Sequence, residues 1–178
     1  MLPMLTVIME CRNQEPELAQ TLAVLVCGAV EGLISDVVVL DQGSEDGTSR
    51  VAEAAGCRHY LTWDMTEVLQ AARGEWLLLL EPGARIQRGW IEEIIEHIAM
   101  DRGPARFTPS RGHRRPFYRT IGRRAPPLEQ GFLLSKREAM ALVSADMDLV
   151  GFVRGQKSKR LASEMIPSWV TREARIDR

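Results

Sequence analysis

The stretch VVVLDQGSEDGT, residues 37–48, decides the fold of this protein. It opens with three valines and a leucine, a run that predicts a buried strand. The segment that follows contains two glycines, which predict a turn. It also contains a serine and an aspartate, residue types that cap the start of a helix, so a helix is expected next. That helix is expected to end at Gly56, because glycine commonly terminates helices. The stretch therefore predicts a strand, a turn and a helix in succession.

The same alternation of strand and helix continues through residues 5–100. Apolar runs predict strands, and apolar residues at helical spacing predict helices. Such alternation is typical of an α/β fold with a mostly parallel, Rossmann-like sheet flanked by helices. The predicted strands are residues 5–9, 36–41, 58–63 and 75–81, and the predicted helices are 15–32, 44–56, 65–74 and 89–100.

The remainder of the chain is less regular. Residues 106–127 are rich in Arg, Pro and Gly, and predict a long loop or two short strands. A strand and a helix are expected within residues 129–145, and one or two short basic helices within 149–178. With 178 residues the chain is expected to form one domain, in which 1–100 is the first half and 101–178 a shorter second half.

Three strand ends are candidate functional positions. Ligands of open α/β sheets bind beyond the carboxyl ends of the strands. The predicted strands end at Glu10–Asn13, Asp41–Ser44 and Glu81–Gly83. Because the strands are predicted to be parallel, we expect these three segments to lie along one edge of the sheet.

The Asp41–Ser44 turn has residue types suited to a nucleotide. A carboxylate at Asp41 can accept hydrogen bonds from a base or a ribose, and Gly43 allows a tight turn and a close ligand. The alternative is structural, because Asp41 and Ser44 are also residues that cap a following helix.

Composition points to a protein of the reducing cytoplasm. Apolar residues make up 45% of the chain, and the three cysteines form no metal-binding pattern or even-numbered disulfide framework. The N-terminus lacks the positive region of a signal peptide, and no apolar run has the length of a membrane span. We expect a cytoplasmic protein, with peripheral attachment to the inner face of the membrane as an open alternative.

Charge is distributed unevenly. Residues 1–101 contain 17 acids against 6 Lys and Arg, whereas residues 102–178 contain 7 acids against 17. Eight arginines and no acid lie between Arg102 and Leu128. This block predicts a surface that faces an anion such as a phosphate or an acidic lipid. The alternative is a solvated loop that pairs with the acidic half.

Three segments in order, residues 5–26, 36–56 and 71–94, resemble the N-terminal half of the family-two glycosyltransferases, which have the GT-A fold. The resemblance covers roughly residues 4–98 and implies that the first half binds a nucleotide sugar. It assigns nucleotide contacts to Arg12 and Asn13 after the first strand and to Asp41, Gly43 and Ser44 after the second. Arg12 stands where the family has an aromatic residue, and its planar guanidinium can also stack on a base.

The chain departs from this family at several motifs. Gln42 replaces the second aspartate of the Asp-Asp-Gly-Ser motif, and the family's Arg-Asn segment is absent near Met65-Thr66. The family's metal-binding Asp-x-Asp corresponds here to Glu81-Pro82-Gly83. Because a divalent cation on a diphosphate prefers several hard oxygen ligands, we expect no metal ligand set and no metal cofactor at this motif. The resemblance places Glu81 on the donor side.

Arginines are candidates to replace that metal. The leaving diphosphate gains negative charge in the transition state, and preorganised guanidinium groups can stabilise it. We expect Arg114, Arg115 and Arg119 to serve this purpose on the donor side.

An inverting transfer also requires a base for the acceptor hydroxyl. Glu129 is the only acid between Asp101 and Glu138, and it precedes an apolar run, so it is the candidate catalytic residue. The alternative is an ordinary surface carboxylate.

Three functional hypotheses remain open. The first is a glycosyltransferase that moves sugar from a nucleotide-diphosphate sugar to a cell-envelope or polysaccharide acceptor. The second is a non-catalytic GT-A domain that binds a nucleotide or a partner, which the departures favour. The third is docking of the basic half on an anionic membrane, beside either role. Nucleic acid is not an expected partner, because the arginines are not interleaved with an aromatic module.

Overall fold

Strands and helices alternate through the first half of the chain, as predicted. The computed structural model describes residues 4–116, 118, 121–122 and 124–177. Helix α2 begins at Thr48, later than predicted, and Gly56 follows its end with a φ of +72°. The elements of this half are β1 (Leu5–Cys11), α1 (Glu15–Val30), β2 (Ile34–Asp41), α2 (Thr48–Ala54), β3 (Arg58–Tyr60), α3 (Met65–Ala71), β4 (Trp76–Leu80), β5 (Arg85–Ile86) and α4 (Trp90–Ala99).

The second half contains three longer strands and two helices among the described residues. The predicted strand and helix within 129–145 are present as β7 and α5. The elements are β6 (Ala105–Pro109), β7 (Phe132–Ser135), α5 (Lys136–Leu142), a 3-10 turn (Leu149–Phe152), β8 (Lys159–Ile166) and α6 (Ser168–Ile176).

The prediction of only helices within residues 149–178 was wrong, because β8 is a strand. Its buried residues Leu161 and Met165 lie on one face of the sheet and are four positions apart. Residues four positions apart share a face in a strand and also in a helix, so the spacing does not distinguish the two. Pairing with β6 and β5 decides the conformation, and those partners are distant in sequence.

One sheet runs through both halves, in the order β3-β2-β1-β4-β7-β6-β8-β5. The first four strands are parallel to one another. β7 is antiparallel to both β4 and β6, β8 is parallel to β6, and β5 is antiparallel to β8. The sheet is therefore mostly parallel, and its antiparallel pairs among the described residues are those made by β7 and β5. This arrangement is the GT-A fold.

Each face of the sheet carries its own apolar core. In β4 all five residues are buried, and Leu78 and Leu80 face α1 and α4 whereas Leu77 and Leu79 face α3 and α5. Burying a leucine side chain contributes about 1.5–3 kcal/mol, so this strand is a major source of stability. A continuous apolar run is typical of a strand covered on both sides.

The carboxyl ends of the parallel strands meet at one edge, called here the carboxyl edge. The register pairs Cys11 with Asp41 and Met9 with Leu80, so the segments after β1, β2 and β4 are neighbours, as predicted. β6 and β8 run in the same direction as β4, because β7 is antiparallel to its neighbours. Their ends, Pro109 and Ile166, therefore lie along the same edge.

Candidate active site at the carboxyl edge

Hydrogen bonds join the loops that follow β1 and β2. Asn13 has a φ of +51°, which asparagine tolerates better than most residues. Its backbone N–H donates to Ser44 Oγ at 2.9 Å, and its Oδ1 accepts from the N–H of Glu45 at 2.7 Å. Glu15 Oε2 accepts from the N–H of Gly47 at 3.0 Å. Two segments predicted to contact a nucleotide are thus held side by side.

Asp41 is completely buried beneath its turn. Its Oδ1 accepts from the N–H of Ser44 at 2.8 Å, and its Oδ2 lies 3.2 Å from Ser49 Oγ and 3.0 Å from His59 Nε2. Burial alone would raise the pKa of Asp41, but the hydrogen bonds from Ser44, His59 and Ser49 hold it below its ordinary value. The carboxylate therefore shapes the turn, which Gly43 completes with a φ of +82°. A direct contact of Asp41 with nucleotide stays a prediction.

Arg12 is exposed beside these loops. Its backbone N–H donates to Gln14 Oε1 at 3.2 Å, and its guanidinium has no partner among the described residues. The side chain is therefore accessible to a ligand at this edge.

Helix α6 packs over the segment that corresponds to the metal motif. Ser168 Oγ donates to Glu81 Oε2 at 2.5 Å, and Thr171 Oγ1 donates to the carbonyl of Gly83 at 3.0 Å. Gly83 has a φ of +99°, and a Cβ there would lie 3.1 Å from the carbonyl oxygen of Ser168. Any residue other than glycine at this position would therefore require α6 to move.

The segment Glu81-Pro82-Gly83 offers few side-chain ligands for a divalent cation. Glu81 offers one carboxylate, which already accepts from Ser168, and Pro82 and Gly83 offer no side-chain ligand. Within the described part of the chain, no group of three or more His, Cys, Asp or Glu side chains could hold a metal ion. This segment therefore offers a hard cation a single side-chain carboxylate, and the absence of a metal at this motif stays a prediction.

A buried acid, Glu17, lies beside the same segment and was missed in the sequence. Its side chain is completely buried, its Oε2 lies 3.3 Å from Arg175 Nη1, and its Oε1 has no hydrogen-bond partner within the part of the chain that the structure describes. Arg175 also approaches the carbonyl oxygen of Asn13 at 3.5 Å. Glu17 and Thr21 are four residues apart on the buried face of α1, and this helical spacing could have revealed them.

A basic pocket of about 390 Å³ opens at the carboxyl edge beside β6 and β8. It contains the predicted residues Arg114, Arg115 and Glu129, whereas the predicted Arg119 lies outside the described residues. The lining also includes Arg111, Arg124, Arg160, Ser110, His113, Met165, Pro167 and Trp169. Sequence reasoning did not assign Arg160 to this site, because it lies on β8, a strand that is distant in sequence and was not predicted.

Glu129 is the one acid among the described lining residues of this pocket. Its Oε1 lies 3.3 Å from Arg115 Nη2, and its side chain keeps 15% of its surface exposed. The Arg115 guanidinium carbon lies 5.5 Å from the ring centre of Trp169, within cation–π range. The arrangement orients a carboxylate that is accessible from the pocket, as a general base requires.

The N-terminus of α6 separates the pocket from the loops after β1, β2 and β4. Pro167 and Trp169 line the pocket, whereas Ser168 between them bonds to Glu81. The separation is short, because Gly131 lies between the two groups. A Cβ built on it would lie 3.0 Å from Leu80, which precedes Glu81, and 3.1 Å from Met165, which lines the pocket. The predicted residues therefore form two neighbouring groups at one edge.

Comparisons with known proteins agree with this architecture. The model of glycosyl transferase family 2 matches residues 6–134. No curated protein sequence matches the chain significantly. No helix in the described part of the chain is long and apolar enough to cross a bilayer.

Solved structures of glucosyl-3-phosphoglycerate synthase from Mycobacterium tuberculosis share the fold. Its complex with uridine diphosphate has a TM-score of 0.58 at 15% identity, covering 78% of this chain and 59% of that chain. Its complex with Mn²⁺, uridine-diphosphate-glucose and phosphoglyceric acid has a TM-score of 0.55 at 16% identity, with the same coverage. This chain therefore spans less than two thirds of the length of those structures.

Proposed function

Because the chain belongs to glycosyl transferase family 2, we propose that it transfers a sugar from a nucleotide-diphosphate sugar to an acceptor hydroxyl. One observation carries this proposal: the pocket containing Glu129 opens at the carboxyl edge, beside the joined loops where the family binds its donor. The acceptor is a precursor of the cell envelope or of a polysaccharide.

The nucleotide would lie on the joined loops after β1 and β2. Arg12 is exposed and free to stack on the base, and Ser44 and the N–H groups of the turn are positioned by Asn13 and Asp41. The solved complexes of similar fold contain uridine diphosphate, which makes uridine nucleotides the first donors to test.

Charge compensation for the leaving diphosphate would come from arginine rather than from a cation at Glu81-Pro82-Gly83. Arg115 is the best-placed candidate, because it stacks on Trp169 of α6, next to the Ser168 that bonds Glu81. A guanidinium held in place by a ring and a carboxylate needs little reorganisation when charge develops.

Glu129 would accept the proton of the acceptor hydroxyl as the new glycosidic bond forms. Its carboxylate faces the pocket where an acceptor fits, and Arg115 fixes its orientation. Proton transfer to a positioned base contributes about 10²–10⁴-fold to a rate.

The test combines ligand binding with turnover. Thermal unfolding is measured with uridine, guanosine and other nucleotide sugars, with and without Mn²⁺, because a ligand of the folded state raises the melting temperature. Release of nucleoside diphosphate in the presence of acceptors then reports transfer. We expect stabilisation without metal by one nucleotide class, and transfer that Glu129→Gln lowers about 10²–10⁴-fold while the stabilisation is kept.

A matched control is Glu53→Gln, an exposed acid on α2, which should leave both measurements unchanged. Undiminished transfer by Glu129→Gln would place the base elsewhere. Stabilisation that depends on Mn²⁺ would contradict the metal-free proposal.

A specific observation favours a second candidate, a non-catalytic GT-A domain that binds a nucleotide, a partner or a membrane. Helix α6 closes the segment that the family uses for its metal, and Gly83 leaves no room there for an acidic side chain. Absence of stabilisation by any nucleotide sugar would favour this candidate. Binding of the basic half to anionic vesicles would then identify the membrane role.

A further inference from the structure

The basic pocket contains more positive charge than its acid can neutralise. Arg111 pairs with Glu164 and Arg115 pairs with Glu129. The three other arginines of the lining, Arg114, Arg124 and Arg160, have no acidic partner among the described residues. Three arginines without an acidic partner among the described residues thus line one cavity.

Arginines that line one small cavity repel one another where salt screens little of the distance between them. A cavity of about 390 Å³ corresponds to a sphere about 9 Å across, which is comparable to the Debye length of about 8–10 Å at an ionic strength of about 0.1–0.15 M. An anion in the cavity would relieve this repulsion. Clusters of positive charge that weaken the ligand-free protein are characteristic of binding sites.

The rest of the lining suits an organic anion with a small carbon skeleton. Met165, Pro167 and Trp169 provide apolar walls, and Ser110 and His113, whose side chains bond to each other at 3.1 Å, provide polar groups. The Nε–H of Arg115 is shielded from solvent and has no hydrogen-bond partner among the described residues. The volume lies within the range of about 300–1,000 Å³ that is usual for small-molecule pockets.

We propose that this pocket binds the phosphate group of a small acceptor, a phosphate monoester that also carries a free hydroxyl. A carboxylate is satisfied by one bidentate arginine, whereas a doubly charged phosphate has the oxygens and the charge for Arg114, Arg124 and Arg160 together. Because Glu129 lines the same pocket, an acceptor anchored by its phosphate presents its hydroxyl to that carboxylate. The inference rests on the proposed function and specifies the acceptor class for it.

Direct binding tests this inference without relying on turnover. Titration calorimetry on the full chain uses glycerol 3-phosphate as the probe, with glycerol as the neutral match. We expect glycerol 3-phosphate to bind, with an affinity that falls as salt rises, and glycerol to show no binding. Each of Arg114→Gln, Arg124→Gln and Arg160→Gln should weaken binding about tenfold, since each removes a charge-assisted hydrogen-bond donor.

The control is Arg137→Gln on α5, whose side chain is 84% exposed and lies outside the pocket. It changes net charge equally and should leave the affinity for glycerol 3-phosphate unchanged. Equal weakening by the control would overturn the site, because it would show an effect of bulk charge. The triple pocket variant should keep or raise the melting temperature of the free protein, since it removes repulsion; a large decrease would show that these arginines serve the fold.

Competition separates the acceptor from the donor. If the pocket is the acceptor site, glycerol 3-phosphate and uridine diphosphate bind together, and neither displaces the other. Mutual displacement would overturn the inference and assign the arginines to the donor diphosphate. Binding to vesicles containing phosphatidic acid, with no binding of glycerol 3-phosphate, would also overturn it in favour of a lipid phosphate.

Failure of the inference is distinguishable from failure of the proposed function. Glycerol 3-phosphate binding without transfer from any nucleotide sugar would support the pocket and contradict the transferase. Transfer to neutral acceptors, unaffected by the three arginine variants, would support the transferase and overturn the phosphate site.

Discussion

Gly83→Ala should destabilise the protein by much more than a backbone effect alone. An L-residue at a φ of +99° costs roughly 1–2 kcal/mol. The new Cβ would also lie 3.1 Å from the carbonyl oxygen of Ser168 and 3.3 Å from Cβ and Cγ of Glu17, so α6 or α1 must shift. Overpacking of this kind costs about 1–3 kcal/mol. The expected total is about 2–5 kcal/mol, or roughly 4–20 °C in melting temperature for a chain of this size.

Gly103→Ala separates the two contributions. Gly103 has a φ of +78°, and a Cβ there meets nothing within 4 Å, so only the backbone cost of roughly 1–2 kcal/mol applies. Urea unfolding at neutral pH gives both free energies, and their difference measures the packing of α6 on residue 83. Equal losses of stability in the two variants would refute the conclusion that α6 packs tightly on Gly83.

The same site offers a functional check. Gly83→Asp restores the third residue of the family's metal motif, but its carboxylate has no room while α6 is in place. We expect a larger loss of stability than for Gly83→Ala and no stabilisation by Mn²⁺. Stabilisation by Mn²⁺ would show that α6 moves aside and that the metal site can be rebuilt.

Two further predictions concern buried groups. Asp41→Asn should lower the free energy of unfolding by about 1–3 kcal/mol at neutral pH, because the amide cannot accept all three hydrogen bonds. Because the pKa of Asp41 is lowered on folding, its contribution is present above the unfolded pKa of about 4 and is lost as the pH falls through the lower folded value. Urea unfolding from pH 7 to 3 should therefore show a smaller difference between wild type and variant in acid, and a constant difference would contradict the assignment. Among the thiols, exposed Cys27 should react fast with a disulfide reagent at pH 8, whereas burial raises the pKa of Cys11 to about 12 and that of Cys57 to about 11, so both should react slowly until urea is added. Three fast thiols in the folded protein would contradict this burial.

The first half of the fold could be predicted because its signals are local. Runs such as residues 37–40 and 77–80 are apolar on both faces, and glycines and polar residues mark their ends. The predicted neighbourhood of Glu10, Asp41 and Glu81 followed from parallel topology alone, and the register confirmed it.

The second half could not be predicted in the same way. The apolar residues of β8 are spaced in a way that suits a helix or a strand. The segment forms a strand because β6 and β5 supply its hydrogen-bond partners. Its pairing with β5 joins residues about 80 positions apart, for which the sequence contains no local signal.

The sequence by itself determined the α/β alternation, the order of the strand ends and the loss of acidic ligands at Pro82 and Gly83. These properties depend on residue type and on periodicities of a few residues. Only the tertiary structure decided that α6 packs on Gly83, that Arg115 lies between Glu129 and Trp169, and that Arg160 joins Arg114 in one pocket. Those contacts join distant segments and are fixed by packing against the shared sheet, which no local pattern encodes.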